Sequence, residues 1–398
     1  MKNGRNTNFN DGVQMEPEAK LMTGNHACAE GALAVGCRFF GGYPITPSSE
    51  IAELMARRLP LVDGTFVQME DEIASIMACL GASFAGEKAM TATSGPGLSL
   101  MAESVGLAVM MEVPLVIVTV MRGGPSTGQP TKASQSDVYQ VRYASHGDYE
   151  LIVLAPGSVQ DMYELTIRAF NLSEQYRTPV IVAADGALGQ MLEPLYTKSQ
   201  IQQVQRKRPL VAPQAYKPFQ VLDEDLVPAM AVAGTDYDFY ATGLTHDENG
   251  NPRMDPETAQ LLITRLCAKI CQARPHINDW ETYRMEDATH AILAYGINAR
   301  GVREAVEQMR VEGHQFGMVR MKSLWPFPDE LMEQLGSQVQ KVIVTEMNNG
   351  MLIREVERFR HRFEVAGITV PTPVPLRPRQ IYKRLLKEIQ THGETNCQ

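Results

Sequence analysis

Cysteine pairs are missing from this sequence. None of its six cysteines (Cys28, Cys37, Cys79, Cys267, Cys271, Cys397) belongs to a CxxC pair, and the ligand runs typical of iron–sulfur clusters are absent. Cys267 and Cys271 stand four apart in a helical stretch, TRLCAKIC, and all six read as packing thiols. Long apolar runs are missing too. Nothing approaches the ~20 residues of a membrane span, and the N-terminus, MKNGRNTNFNDG, lacks the hydrophobic core of a signal peptide. The expected location is therefore a reduced cytoplasm. No GxxxxGK(S/T) phosphate loop occurs. Positive charge is in short supply, and a formal net charge of −9 disfavours nucleic acid or an anionic membrane as partner.

What is present suits a large subunit of an enzyme. At 398 residues and 44% hydrophobic, the chain can bury more than one core, so two domains are expected. Residues 1–17 are polar, rich in glycine and asparagine, and read as disordered. Between 18 and 189, six short apolar runs each lead into helical sequence: 37–42, 65–69, 89–93, 115–120, 151–155 and 180–184. They are apolar on both faces and rich in Val and Ile, as strands covered by helices on both sides should be. The expected fold class is α/β, opening with a six-stranded, parallel, doubly wound domain. Residues 190–286, with a basic triplet at Arg206, Lys207 and Arg208, read as an extended connector or interface segment. A second α/β domain is expected over 287–398, with strands at 291–295, 316–321, 342–345 and 363–370. Within it, Trp325-Pro326-Phe327-Pro328 reads as a rigid packing corner. Asn348-Asn349-Gly350 reads as a tight turn with positive φ at the glycine, which Glu346 stabilises.

The stretch 66–99, FVQMEDEIASIMACLGASFAGEKAMTATSGPGLS, organises the first domain. It reads strand, acidic turn, helix, strand, glycine turn. In a parallel sheet both turns lie at the carboxyl edge of the strands, where such folds place ligands. Glu72 opens a helix with small residues at 74, 78, 81, 82 and 86. The helix N-terminus favours its ionised form, while Met69, Ile73 and Met77 are expected to favour the neutral acid. A lone glutamate there would ordinarily do no more than complement the helix dipole. Thr46, in the turn YPITPSSE, would ordinarily cap its own backbone. After the fourth strand comes MRGGPSTGQPTKASQSDV, residues 121–138, a backbone-exposing loop. It carries Lys132, and Arg122 at the strand end, placed to pair a carboxylate through a bidentate fork.

Glu72, Gly81 nine residues on and TSGPG after the next strand together resemble the pyrimidine-binding domain of thiamine-diphosphate enzymes. YPITPSSE, QMEDEIAS, TSGPGLSLM and RGGPSTGQPTKASQSDV are similar to the alpha subunit of 2-oxoacid:ferredoxin (acceptor) oxidoreductases, most like the 2-oxoglutarate type. The resemblance continues through ATGLTHDENGNP, AYGINARGVREAV, SLWPFP and VTEMNNGM, and runs from Leu21 to about Leu386. It implies a thiamine-diphosphate-binding, pyrimidine-type domain followed by a transketolase C-terminal-like α/β domain. It implies that Glu72 hydrogen-bonds the cofactor's aminopyrimidine, with Glu70 its nearby rival, and that Pro44, Ile45, Ser94 and Gly95 line the cofactor. Thr46 and Arg122 would hold the 2-oxoacid carboxylate, and the spacing from Arg122 to Gln135 and Asp137 agrees. The resemblance does not choose the substrate's tail; Lys132 or a partner residue is the candidate cation for a second carboxylate. His26 and Met351 depart from the family pattern and are expected to stay clear of the catalytic set.

The implied reaction is oxidative decarboxylation of 2-oxoglutarate to succinyl-CoA, with coenzyme A as co-substrate and ferredoxin as electron carrier. Thiamine enzymes bind diphosphate and Mg2+ with a GDG turn and a later asparagine. The nearest match here is Ala184-Asp185-Gly186, with no asparagine before Asn249, so Asp185 reads as a strand-end residue. A beta subunit is expected to supply the diphosphate and Mg2+ site and a 4Fe–4S cluster, so that thiamine diphosphate is shared between chains. Gamma and ferredoxin-like delta subunits are compatible with a chain that starts near the pyrimidine domain. A 2-oxoisovalerate or pyruvate oxidoreductase, or a non-redox thiamine-dependent decarboxylase or synthase, could keep the same motifs.

Overall fold

The structure is a computed structural model. It describes residues 19–198 and 200–393, with side chains to residue 389, so the expected disorder of 1–17 lies outside the described residues. The first nine strands are β1 (Lys20–Thr23), β2 (Cys37–Gly42), β3 (Thr65–Gln68), β4 (Lys88–Thr93), β5 (Leu115–Gly123), β6 (Gln129–Ala133), β7 (Ile152–Leu154), β8 (Pro179–Asp185) and β9 (Leu192–Leu195). The six runs expected from the sequence form one parallel sheet in the order β7-β8-β5-β4-β2-β3. Alternation along β5 shows why those runs are apolar throughout. Val116 and Val118 face a core with Ala27, Ile51 and Phe170, while Ile117 faces the opposite core with Ile76, Leu98 and Val105. Helices cover both faces, so neither side of a strand can be polar.

The chain runs from β2 out to β3 and then back past β2 to β4. Loops leaving β2 and β4 therefore diverge at the carboxyl edge, and a crevice opens between them.

Six further strands follow: β10 (Trp280–Tyr283), β11 (His290–Tyr295), β12 (Phe316–Met321), β13 (Ser323–Trp325), β14 (Lys341–Glu346) and β15 (Glu364–Thr369). Five of these make a second sheet, β10-β12-β11-β14-β15, parallel except for the antiparallel edge strand β10. The remaining strand crosses over: β13 pairs antiparallel with β7 at the edge of the first sheet. The SLWPFP corner is thus a strand that joins the two units.

Gln135 is the hub of their polar contact. Its side chain donates to Tyr295 O (3.1 Å) and accepts from Met347 N (3.0 Å) and Asn298 Nδ2 (3.1 Å). Asp185, buried at the end of β8, accepts from Ile297 N at 2.6 Å. Gly296 (φ +58°) permits that approach, since a Cβ there would lie 2.2 Å from Asp185 Oδ2. Asp185 therefore serves the domain joint. The expected turn is present, with Gly350 at φ 76°. Glu346 accepts from Leu352 N (2.8 Å), Ile353 N (3.0 Å) and Asn348 Nδ2 (2.8 Å).

Little regular structure occurs between β9 and the helix Pro256–Gln272. That segment is nonetheless anchored. Arg206, read as part of a basic triplet, is buried, paired with the buried Glu174, and donates to Ser83 O at 2.7 Å. The helix Pro256–Gln272 docks through Arg265 and Lys269 onto buried Glu112, at 2.6 and 2.7 Å.

Candidate active site

Four loops meet at the carboxyl edge of neighbouring strands. The turn 43–48 leaves β2, Asp71 and Glu72 follow β3, Ser94–Gly97 follow β4, and Arg122 lies near the end of β5. Asp71 caps the helix Glu72–Phe84, its side chain accepting from Ala74 N at 2.8 Å. This fixes Glu72 as the first helical residue, with only 3% of its surface exposed. Burial raises its pKa, and Asp71 adds to the rise; the Thr93 hydroxyl and the Arg122 guanidinium pull the other way. A carboxyl so placed keeps more of its neutral form and can donate as well as accept a proton.

Gly97 makes room for it. A Cβ at that position would stand 2.0 Å from Thr93 Oγ1 and 2.3 Å from Glu72 Oε1. The second glycine of TSGPG is therefore required by the glutamate itself. Gly81, nine residues from Glu72, has no such reason, because a Cβ there meets nothing within 4 Å. The expectation that Ile73 and Met77 desolvate Glu72 fails as well, for they are 46% and 43% exposed. Helical spacing explains this: Glu72 shares its stripe with Ser75, Ile76 and Cys79, one step around from Ile73 and Met77.

Arg122 is buried and donates from Nη1 to Thr46 O at 2.7 Å, while its Nε has no partner. Thr46 is thereby held beside Arg122, its residue exposed, together with exposed Pro44 and half-buried Ile45. A cleft of about 400 Å3 runs past Arg122, lined also by Gly95, Ser99, Gly124, Asp137 and Met351. Met351 was expected to stay clear of this set; it forms part of the wall. Ser94 is buried, and its hydroxyl donates to Val120 O at 2.8 Å, so the hydroxyl is committed to the fold. Lys132 is exposed on β6, next to Ala133, which pairs with Arg122 across the ribbon. It is not among the residues lining this cleft. Thr93 and Gly97 belong to TSGPG and Asp137 to the motif that follows Arg122, but the motifs alone do not show that the first two surround Glu72 or that the third lines the cleft. The glycine following Pro96 was the available signal for the first two.

Residues 30–264 match the family model described as pyruvate flavodoxin/ferredoxin oxidoreductase, thiamine diphosphate-binding, a stretch longer than half the chain. This chain belongs to the 2-oxoacid:ferredoxin oxidoreductase family. Residues 288–370 match a second family model, pyruvate:ferredoxin oxidoreductase core domain II. Among relatives, the 2-oxoglutarate synthase subunit KorA of Methanocaldococcus jannaschii is 51% identical over 341 residues, covering 86% of this chain and 92% of the relative. The ketoisovalerate oxidoreductase subunit VorB of Methanothermobacter marburgensis is 35% identical, covering 85% and 89%. A solved structure, the 2-oxoglutarate:ferredoxin oxidoreductase from Magnetococcus marinus with 2-oxoglutarate, coenzyme A and succinyl-CoA bound, superimposes with TM-score 0.88 at 37% identity. The match covers 94% of this family member and 66% of the neighbour's chain.

Proposed function

We propose that this chain is the alpha subunit of a 2-oxoglutarate synthase, which converts 2-oxoglutarate and coenzyme A to succinyl-CoA and carbon dioxide with ferredoxin as electron acceptor. The observation that carries the reading is buried Glu72, held against Thr93 and Gly97 at the carboxyl edge and within electrostatic reach of Arg122.

The residues present fit the pyrimidine half of thiamine diphosphate. Glu72 is a desolvated carboxyl with a raised pKa, and a side chain at 97 would fill the space it occupies. When bound, thiamine diphosphate supplies the carbon nucleophile and electron sink that 2-oxoacid decarboxylation needs. Glu72 would hold and release a proton at the aminopyrimidine ring nitrogen. The backbone at Ser94 and Gly95, with Pro44 and Ile45, would bound the ring. Arg122 and the Thr46 hydroxyl would orient the 2-oxoacid carboxylate, a contribution of position rather than covalent chemistry. Lys132 would reach the substrate's far carboxylate only from the rim.

The relatives named above are subunits, which supports a multi-subunit complex. The helix that opens at Glu72 presents Ile73 and Met77 to the outside, with Leu100 also exposed, an apolar face suited to a partner chain. Among the described residues no group of three His, Cys, Asp or Glu side chains could hold a metal. We assign Mg2+, the diphosphate grip and the 4Fe–4S cluster to a beta subunit, with gamma and ferredoxin-like delta chains completing the particle. A cytoplasmic location goes with this assignment; among the described residues no helix is long and apolar enough to cross a membrane.

Coenzyme-A-dependent dye reduction by the purified complex tests the substrate. The kcat/KM for 2-oxoglutarate is expected to exceed those for pyruvate and 2-oxoisovalerate by at least about tenfold, a difference of roughly 1.4 kcal/mol. A preference for either of the other two acids would overturn the assignment.

A further inference from the structure

Asp137 stands at the N-cap position of the five-residue helix Val138–Arg142. An aspartate there ordinarily accepts a hydrogen bond from a backbone N–H two or three residues on. Asp137 makes no such bond. Its Oδ2 is buried without a hydrogen-bond partner, and a Cβ built on Gly95 would lie 3.1 Å from it. The residue lines the same cleft as Arg122, whose Nε is likewise buried and unpartnered. Two complementary polar groups, each with an unmet hydrogen bond, thus border one cleft.

We propose that Asp137 is a positioning residue that sets how tightly Arg122 grips the 2-oxoacid head group. Neutral, it leaves the guanidinium to the substrate carboxylate; ionised, it competes for that guanidinium. The inference rests on the role assigned to Arg122 above. Burial pushes the Asp137 carboxyl up to about 6, with Arg122 pulling against the rise. Glu72, on the helix Glu72–Phe84, also feels Arg122. Gly95, Pro96, Ser99, Ser136 and Gln140, which share the cleft wall, bring no charge.

The sign follows directly. Below about 6 the free enzyme already holds the neutral form, and the grip is full. As pH rises through that value Asp137 ionises, and binding the anionic substrate must first restore its proton. Affinity therefore falls with rising pH, and the complex takes up a proton on binding.

In the assembled complex, KM for 2-oxoglutarate is expected to rise at least about threefold between roughly pH 6 and 8. Asp137→Asn should hold KM low and flat over that range, with kcat moving much less than KM. Titration calorimetry with the non-reacting 2-hydroxyglutarate, in buffers of different ionisation enthalpy, should show proton uptake by the unsubstituted complex. This second measurement does not depend on the variant folding. A flat KM profile without substitution, a parallel profile in Asp137→Asn, or binding without proton uptake would each overturn the proposal. Arg122→Gln separates the two claims. If it leaves KM unchanged, the role of Arg122 falls and this inference with it. If it raises KM while the Asp137→Asn profile parallels that of the unsubstituted complex, the Asp137 inference alone is overturned.

Discussion

Glu72→Gln in the reconstituted complex is expected to lower kcat at least about tenfold, roughly 1.4 kcal/mol of barrier. Glutamine matches the shape that Thr93 and Gly97 leave for the carboxyl, so folding and assembly should be unchanged by thermal unfolding and gel filtration. It keeps a hydrogen-bonding group but cannot exchange a proton. The loss should therefore appear in kcat, with KM for 2-oxoglutarate changed little, because Arg122 and Thr46 remain in place. Unchanged activity would eliminate Glu72 as the residue that works on the cofactor ring and would return it to a helix-start acid that only complements the dipole.

Glu112→Ala is expected to destabilise the chain by about 3–5 kcal/mol, the usual cost of removing one partner from a buried ionic cluster. Glu112 is wholly buried and holds Arg265 and Lys269, while Arg177 donates to its backbone oxygen at 3.0 Å. Its own pKa is driven below the ordinary carboxylate range by Lys269 and Arg265, although burial opposes this. The partner is less content: burial pushes Lys269 down to about 8 despite Glu112. In a buried ionic cluster the large effect comes from breaking it. Without Glu112, buried Lys269 and partly buried Arg265 lose their carboxylate, and the helix Pro256–Gln272 should loosen first. Limited proteolysis between 196 and 255, together with denaturant unfolding, would register this; an unfolding midpoint equal to that of the unsubstituted chain would contradict it.

Features carried by local pattern were legible in the sequence. The six parallel strands could be found because burial on both faces leaves continuous apolar runs, and Gly350 because a tight turn needs positive φ. The site motifs were legible as well, since the loops that follow β2, β4 and β5 are continuous in sequence. Long-range pairings were not. β13 is three residues long, and its partner β7 lies some 170 residues away, so no run length betrays the crossover. Arg206 read only as one member of a basic triplet in a connector, and only the fold brings Glu174 to it. Glu112 gave no sign of Arg265 and Lys269 for the same reason. Ile73 and Met77 were misplaced by closeness in sequence, where the helical period puts them on a different stripe from Glu72. Asp137 stood out only by its spacing from Arg122, because an unmade cap bond leaves no trace in a string of letters.

The most direct test is the structure of the assembled complex loaded with thiamine diphosphate and Mg2+, read for one distance. We expect the Glu72 carboxyl within hydrogen-bond reach of the aminopyrimidine ring nitrogen, about 2.6–3.2 Å, with the diphosphate and metal held by the other subunit. A ring bound away from Glu72, or a diphosphate and metal held wholly by this chain, would contradict the account.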